Sequence, residues 1–173
     1  MIIRPAAEGD IPAVAAIYDA LHTEEEKGLR VIGWVRGVYP TERTARDALR
    51  RGELFVAEEA GRVTAAAVIN QRQEEAYRQA DWAFPAPDRQ VMVLHTLVVA
   101  PNCAGRGTGS RMVAFYEEYA RSKDCRCLRM DTNARNLSAR RLYQSLGFRE
   151  AGQAPCVFNG IPGVMLVLLE KKL

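Results

Sequence analysis

Hydrophobic and polar positions are most regular in the middle of the chain, where residues 91–112 read VMVLHTLVVAPNCAGRGTGSRM. The first half of this stretch is apolar and rich in β-branched residues. This predicts a buried strand that ends at Pro101, because proline has no N–H to extend a ladder. From Met112 to Tyr119, apolar residues recur at the three- and four-residue spacing of one helix face. Three glycines separate the two patterns, so the stretch predicts a strand, a glycine loop and a helix in that order.

Apolar runs typical of strands and apolar residues at helical spacing also occur on either side of this stretch, and they predict further elements. Strands are predicted over 1–4, 53–58, 63–70, 125–131, from 148 onward and over 164–169, and helices over 10–21, 41–49 and 136–146. Between them, the acidic run 23–27 is interpreted as a solvated turn, 28–40 as a loop, 71–90 as an insertion or lid, and 132–133 as a strand break. The resulting order is β-α-α-β-β-β-α-β-α-β-β, which is typical of an α/β (α+β) fold, a mixed sheet with helices on its faces.

Composition limits the class of protein. The chain has 173 residues, 48% of them hydrophobic and 26% charged, which fits one globular domain over residues 1–173. No apolar run approaches the roughly 18 residues of a membrane span, and the first four residues do not resemble a signal peptide. We therefore expect a cytoplasmic protein that does not bind membranes. The four cysteines have neither Cys-x-x-Cys spacing nor nearby histidines, so they are interpreted as reduced thiols and no metal site is expected.

Positive charge is concentrated around the glycine loop. The net charge of the chain is only +3, but residues 103–141 contain nine bases and four acids. Since no basic stripe with interleaved aromatic residues extends beyond this segment, the surplus favours a compact polyanionic ligand over nucleic acid. A helix that starts after a glycine loop presents free backbone N–H groups and the positive end of its dipole, and such a spot binds phosphate.

The loop glycines Gly105, Gly107 and Gly109 fit this interpretation, because a side chain would keep the backbone away from an anion or forbid a positive φ. Arg106 adds a positive charge. No Lys-Ser or Lys-Thr follows the last glycine, which excludes a P-loop. The loop also does not follow an early strand with an acidic residue about 20 positions on, which argues against a dinucleotide-binding fold. By itself Gly-x-Gly-x-Gly is a weak signal, and a flexible turn is the alternative.

Two blocks, LVVAPNCAGRGTGSRMV and NLSARRLYQSLGF, resemble the GNAT superfamily of acyl-CoA-dependent N-acyltransferases. The resemblance covers nearly the whole chain in element order. It implies a mixed, mostly antiparallel sheet of six to seven strands flanked by about four helices. It also implies transfer of an acetyl group from acetyl-CoA, without a metal, to a primary amine on a small molecule or a protein. The transfer would be a direct attack, in a monomer or homodimer.

The resemblance further implies where the cosubstrate binds. The loop would grip the pyrophosphate, and backbone groups of the preceding strand would hold the pantetheine arm and polarise the thioester carbonyl. The implied cofactor-binding residues are Leu97, Val98, Val99, Cys103, Ala104, Gly105, Arg106, Gly107, Thr108, Gly109, Ser110, Asn136 and Arg140. The chain departs from the family at Ala104, where Gln or Arg is frequent. One side-chain contact is therefore lost while the backbone donors remain.

Two residues are predicted to be catalytic. Tyr143 matches a tyrosine that lies by the departing sulfur in the family, and its alternative role is that of a core aromatic. A tyrosine pKa of about 10 against a thiol pKa of about 8.5 favours hydrogen bonding to the developing thiolate over full proton transfer. Val93 stands where many relatives carry a glutamate that helps to deprotonate the amine. His95, on the same strand face, is the predicted substitute, and its alternative role is that of a buried structural histidine.

Acceptor-binding residues are predicted in segments that border the acceptor cleft in this fold. They are Trp34, Tyr39, Asn70, His95 and Asp131. The carboxylates of Asp131 and Glu74 could attract a cationic acceptor. The sequence leaves open whether the acceptor is a small polyamine, an amino acid, an aminoglycoside or a protein amine. It also leaves open two other functions, a non-catalytic acyl-CoA-binding module on the same fold and a protein that binds a nucleotide phosphate.

Overall fold

A computed structural model describes all residues from 1 to 173. It contains one seven-stranded sheet and four α-helices. The strands are β1 (Ile2–Pro5), β2 (Leu54–Glu59), β3 (Arg62–Asn70), β4 (Val91–Val99), β5 (Cys127–Asn133), β6 (Arg149–Phe158) and β7 (Ile161–Lys172). The helices are α1 (Ile11–Glu26), α2 (Glu42–Arg50), α3 (Thr108–Ser122) and α4 (Leu137–Ser145). This order confirms the predicted one. None of the helices combines the length and the apolar character that a membrane crossing needs.

The strands are ordered β1-β2-β3-β4-β5-β7-β6 in the sheet. Every neighbouring pair is antiparallel except β4 and β5, which are parallel. The predicted mixed, mostly antiparallel sheet is thus confirmed. The single parallel pair is joined by α3, as a parallel connection requires a crossover.

Several element ends follow from local side-chain chemistry. The Thr41 side chain accepts a hydrogen bond from the Thr44 N–H at the start of α2, and the Asn136 side chain accepts one from the Ala139 N–H at the start of α4. Asn159 and Gly160 both have positive φ, which suits the tight turn between β6 and β7. These caps and the turn were all predicted from residue type.

Several predicted boundaries are wrong, including the last strand, which was predicted over 164–169 and is Ile161–Lys172. Two others have a clear local reason. The acidic run 23–27 was expected to be a turn, but it forms the last turn of α1 because arginines of the following loop pair with its carboxylates, Arg30 with Glu24 and Arg36 with Glu26. The break expected at residues 132–133 is also absent. β5 continues through Asn133 because β7 pairs with both residues.

The core lies on both faces of the sheet. The first face is covered by α3 and α4. The second is covered by α1 and α2 over β2 and β3, and by the segments 28–40 and 71–90 over β4 to β7. Residues 71–90, predicted as an insertion or lid, include two short 3₁₀ turns and pack onto the sheet with Tyr77 only 2% exposed.

A buried carboxylate fixes the segment 71–90 to the sheet. The Glu170 side chain is fully buried on β7. It accepts hydrogen bonds from the Ala83 N–H at 2.7 Å and the Phe84 N–H at 3.2 Å, and it pairs with Arg149 at 2.7 Å. A buried charge is tolerated only when it is satisfied in this way. The segment is therefore a fixed wall of the molecule.

Candidate active site

The site begins where two strands part. β4 and β5 pair from Val91–Cys127 to Leu94–Met130 and no further. Just beyond this point Thr96 has a φ of +49°, a rare conformation for a β-branched residue, and the pairing of β4 with β3 shifts register between Ala66 and Val68. The end of β4 therefore diverges from β5 and leaves a cleft in the sheet.

A cavity of about 1010 Å³ occupies this cleft. It runs from the glycine loop, past the end of β4, to the end of β5 and the loop 28–40. The predicted site residues that line it are Trp34, Tyr39, Leu97, Val98, Val99, Cys103, Ala104, Gly105, Gly107, Thr108, Gly109, Ser110, Asp131, Asn136 and Tyr143. Four predicted site residues are not among the lining residues, namely Asn70, His95, Arg106 and Arg140.

The loop that opens α3 presents a row of free donors. None of the backbone N–H groups from Gly105 through Ser110 donates to a backbone oxygen, and the first that does is that of Arg111, to the Gly107 oxygen at 3.0 Å. Gly105 and Gly107 have φ values of +75° and +79°, which explains the choice of glycine at both. Clustered amides at the start of a long helix match the chemistry of a diphosphate.

The third loop glycine has a different role. A Cβ on Gly109 would lie 3.3 Å from the Leu142 side chain, so this glycine lets α3 pack closely against α4. Sequence reasoning assigned all three glycines to anion approach. The structure supports that reason for Gly105 and Gly107. At Gly109 the close packing of the two helices requires the glycine.

Two predicted cofactor-binding arginines are not among the residues that line the cavity. The Arg106 side chain is on the exposed surface of the loop. The Arg140 guanidinium donates to both carboxylate oxygens of Glu150, at 2.8 and 3.0 Å, and to the Ala134 carbonyl at 3.0 Å. Because Glu150 offsets its charge, Arg140 fastens α4 to β6 and does not contribute to the cavity wall.

Tyr143 lies on the inner side of α4, 7% exposed, with its ring edge-on to Phe148 at a centroid distance of 6.2 Å. Burial raises the pKa of its hydroxyl well above the usual 10, and the negative charge of Asp131 raises it further. The hydroxyl is therefore protonated at neutral pH. It can donate a hydrogen bond to an anion that forms in the cavity.

His95, the predicted base, is surrounded by polar groups outside the cavity lining. Its Nε2 lies 3.1 Å from the Asn70 Oδ1, and that oxygen also accepts from the Arg72 N–H, so Nε2 carries the proton. Nδ1 lies 3.6 Å from Glu74. Burial lowers the pKa of the ring to about 4. With its proton-accepting nitrogen turned toward Glu74 and outside the cavity lining, His95 is disfavoured as the base.

Asp131 lies at the end of β5, immediately after the last residue of that strand that pairs with β4. Its Oδ2 accepts a hydrogen bond from the Tyr77 hydroxyl at 2.8 Å. Burial raises its pKa to about 7, partly opposed by that hydrogen bond. Sequence reasoning treated this residue only as an attraction for a cation. The signal that could have marked it as a candidate catalytic residue is its place near the end of the strand that follows α3, because that strand pairs with β4.

The loop 28–40 closes the far side of the cavity. Tyr39 lies edge-on between Trp34, at 6.0 Å between ring centroids, and Phe158, at 5.4 Å, and its hydroxyl contacts the Thr96 hydroxyl. Glu25 at the end of α1 accepts hydrogen bonds from the Ile32 and Gly33 N–H groups. Aromatic packing and backbone-directed hydrogen bonds thus define this wall.

Comparisons with known proteins agree with the geometry. A model of the acetyltransferase (GNAT) family matches residues 14–148. Over 62 residues the chain is 31% identical to a Bacillus subtilis (strain 168) protein named uncharacterized N-acetyltransferase YhfO. That match covers 36% of this chain and 42% of the relative. The chain therefore matches less than half the length of that relative.

Solved structures share the fold over nearly the full length. An acetyltransferase of the GNAT family from Streptococcus agalactiae 2603 has a TM-score of 0.79 at 21% identity, covering 99% of this chain and 95% of its own. The ribosomal-protein-alanine N-acetyltransferase from Brucella melitensis has a TM-score of 0.71 at 26% identity, covering 100% of both chains. The structure of yncA from Salmonella typhimurium with its cofactor acetyl-CoA has a TM-score of 0.68 at 22% identity, covering 100% and 94%. With the family match extending over most of its length, the chain belongs to the GNAT family of acetyltransferases.

Proposed function

We propose that this protein is an N-acetyltransferase that transfers an acetyl group from acetyl-CoA to a primary amine by direct nucleophilic attack. The observation that carries the proposal is the row of unpaired amides from Gly105 through Ser110, in the same cavity as the diverging end of β4 and Tyr143. The related yncA structure, which contains acetyl-CoA, supports the choice of cosubstrate. Family membership supports the reaction type.

In the proposed reaction the loop amides bind the diphosphate of acetyl-CoA. Backbone groups of Leu97 to Val99 hold the pantetheine arm and polarise the thioester carbonyl, since oriented amides stabilise a developing oxyanion whatever their side chains are. The amine nitrogen attacks the carbonyl carbon, a C–N bond forms, and the C–S bond breaks with its electron pair on sulfur.

Tyr143 acts on the departing sulfur by donating a hydrogen bond. A free tyrosine already has a pKa about 1.5 units above that of a thiol, and burial of Tyr143 widens this gap. Full transfer of its proton to sulfur is therefore unfavourable. The proton that ends on the sulfur comes instead from the nitrogen of the collapsing adduct.

Replacing Tyr143 with phenylalanine tests the proposal. We expect Tyr143→Phe to lower kcat at least tenfold, because the thiolate loses its hydrogen-bond donor, while the Kd for acetyl-CoA measured by calorimetry stays nearly unchanged. Tyr119→Phe is the matched control, since Tyr119 lies on α3 outside the cavity lining and should keep full activity. Unchanged turnover in Tyr143→Phe would remove Tyr143 from the mechanism.

A broader measurement separates an enzyme from a binding module. The wild-type protein is incubated with acetyl-CoA and a panel of primary amines, and the release of free CoA is followed. Release that depends on an amine supports the proposed enzyme. Tight acetyl-CoA binding without release for any amine would indicate a non-catalytic acyl-CoA-binding module.

A further inference from the structure

We propose that Asp131 binds the ammonium group of the acceptor and takes its proton, and that the acceptors are primary amines without a carboxylate next to the amine. This inference rests on the proposed function and deepens it. It replaces His95 with Asp131 as the proton acceptor and narrows the acceptor to a chemical class.

The two faces of the sheet place Asp131 opposite Tyr143. Tyr143 projects from α4, which covers the first face. Asp131 is held by Tyr77, which belongs to the segment that covers the second face. Both line the same cavity where β4 and β5 separate. An amine can therefore approach the thioester from the side of Asp131, while the sulfur departs on the side of Tyr143. A direct attack needs this arrangement, because the amine and the leaving sulfur must not occupy the same space.

The surroundings of Asp131 suit a cation. No arginine or lysine side chain donates to it, and its one hydrogen bond uses Oδ2 and comes from Tyr77. Five titratable groups lie close enough to Asp131 for its charge and theirs to interact. They are Tyr39, Glu74, Tyr77, Tyr143 and Cys156. The three tyrosines and the cysteine are neutral at pH 7. The fifth group, Glu74, is an acid, and burial raises its pKa. A positively charged ammonium group would thus complement the charge of this part of the cavity.

The same surroundings disfavour a carboxylate on the acceptor. Arg30 and Arg135 are the only basic residues in the cavity lining. Arg30 is paired with Glu24, and Arg135 is on the exposed rim. An amino acid would bring its carboxylate within a few ångströms of Asp131, where no buried and unpaired cation of the lining would receive it. Two like charges at this separation disfavour binding, the more so because Asp131 is partly withdrawn from solvent.

The proton balance is complete without a further reactant. An amine with a pKa near 10.4 arrives as the ammonium ion and transfers one proton to the Asp131 carboxylate. Burial brings the pair of free amine and carboxylic acid closer in energy to the pair of ammonium and carboxylate, because burial destabilises both charges of the second pair. The freed nitrogen attacks, and its second proton follows the departing sulfur. The carboxylic acid then returns its proton to water.

Matched pairs of acceptors test the substrate class. Each pair is an amino acid whose only primary amine is the α-amine and its decarboxylated amine: tyrosine and tyramine, arginine and agmatine, phenylalanine and phenethylamine. For each pair that reacts, we expect kcat/KM for the amine to exceed that for the amino acid at least tenfold. Equal rates within the pairs would overturn the acceptor class while leaving the enzyme proposal intact. No reaction with any member, with acetyl-CoA bound, would contradict both.

The pH dependence of kcat/KM for the best amine tests the role of Asp131. In the wild type, the rate should rise with pH through a midpoint near 7, as the carboxylate forms. Asp131→Asn should lose at least a hundredfold in kcat/KM and lose this midpoint, so that its rate rises only as the free amine itself deprotonates. Its Kd for acetyl-CoA should match that of the wild type.

Tyr77→Phe provides a second variant that does not remove the carboxylate. The Tyr77 hydrogen bond stabilises the ionised form of Asp131. Its removal should raise the pKa of Asp131 and move the midpoint upward by about half to one pH unit. An unshifted midpoint in Tyr77→Phe, or a retained midpoint in Asp131→Asn, would assign the base to another group and overturn the proposal.

Discussion

The two halves of the proposed site are built in different ways. The cofactor half, residues 97–110 and 136–143, consists of two continuous stretches and relies mainly on backbone groups. The acceptor half combines the loop 28–40, the segment 71–90 and Asp131, and relies on side chains from distant parts of the sequence. A half made of backbone groups tolerates many sequences as long as its geometry is kept. A half made of side chains changes with each substitution, and it is the part that selects the acceptor.

The forces that hold the two halves differ as well. Left-handed glycines and the Asn136 cap fix the cofactor half locally. Long-range polar contacts fix the acceptor half, with Glu25 holding the loop 28–40 and Glu170 holding the segment 71–90. Substitutions in one half should therefore change the binding of one substrate and leave the binding of the other nearly unaffected.

The largest effect is expected in the cofactor half. Gly107→Asp should weaken acetyl-CoA binding at least a hundredfold, about 2.7 kcal/mol, because it adds a negative charge among the amides that face the diphosphate. Calorimetry with acetyl-CoA measures the Kd. Gly61→Asp is the matched control, since Gly61 has a similar φ of +72° and equally open surroundings but lies in the turn between β2 and β3. Equal affinity in both variants would show that the loop is not the cofactor site.

A smaller effect is expected in the acceptor half. A Cβ on Gly33 would lie 2.1 Å from the Asn133 side-chain nitrogen, so Gly33→Ala must displace either the Asn133 side chain, which lines the cavity, or the loop 28–40. We expect about a tenfold loss in kcat/KM for the amine and less than a twofold change in the acetyl-CoA Kd. Gly28→Ala is the control, because Gly28 has a φ of +68° but no atom within 4 Å of the added carbon. If both variants lose activity equally, the contact with β5 does not shape the acceptor wall.

The smallest effect is a gain in the cofactor half. Ala104→Gln introduces the side chain that the resemblance to the GNAT superfamily implies at this position of the loop. The net gain is limited to about 1 kcal/mol, because ordering a glutamine offsets part of a hydrogen bond to a charged group. Titration should show about a two- to fivefold lower Kd for acetyl-CoA. Ala104→Leu, of similar length without a donor, should show no gain, and a gain in both would indicate simple packing.

The same contrast explains what could be predicted from the sequence. Strand β4, the glycine loop and the start of α3 have strong local signals. The strand predicted to start at Val91 and to stop at Pro101 is observed as Val91–Val99. Tyr143 was placed on the inner face of α4 by helix periodicity, and it lines the cavity. Local patterns were sufficient wherever the site is made of consecutive residues.

Side-chain partners across the sheet could not be predicted in this way. The expected base His95 is on the predicted strand face, but the chain after β3 folds over it and brings Asn70 and Glu74 against its ring. Arg140 was expected at the cofactor, yet Glu150 from β6 pairs with it. Asp131 gains its environment from Tyr77, which is 54 positions away. These contacts depend on how distant segments meet, and single-sequence periodicity carries no information about that.

The separation of β4 from β5 has a kinetic consequence. The opening is present in the protein fold itself, with Thr96 held in its unusual backbone conformation next to the Tyr39 hydroxyl. Since the opening connects both faces of the sheet, the two substrates need not share a path to the reacting carbon. In the proposed reaction, acetyl-CoA and the amine would therefore occupy the protein together, and neither would have to leave before the other binds. We expect a sequential order of addition, without an acetylated protein intermediate, as the kinetic result of this interruption in one pair of strands.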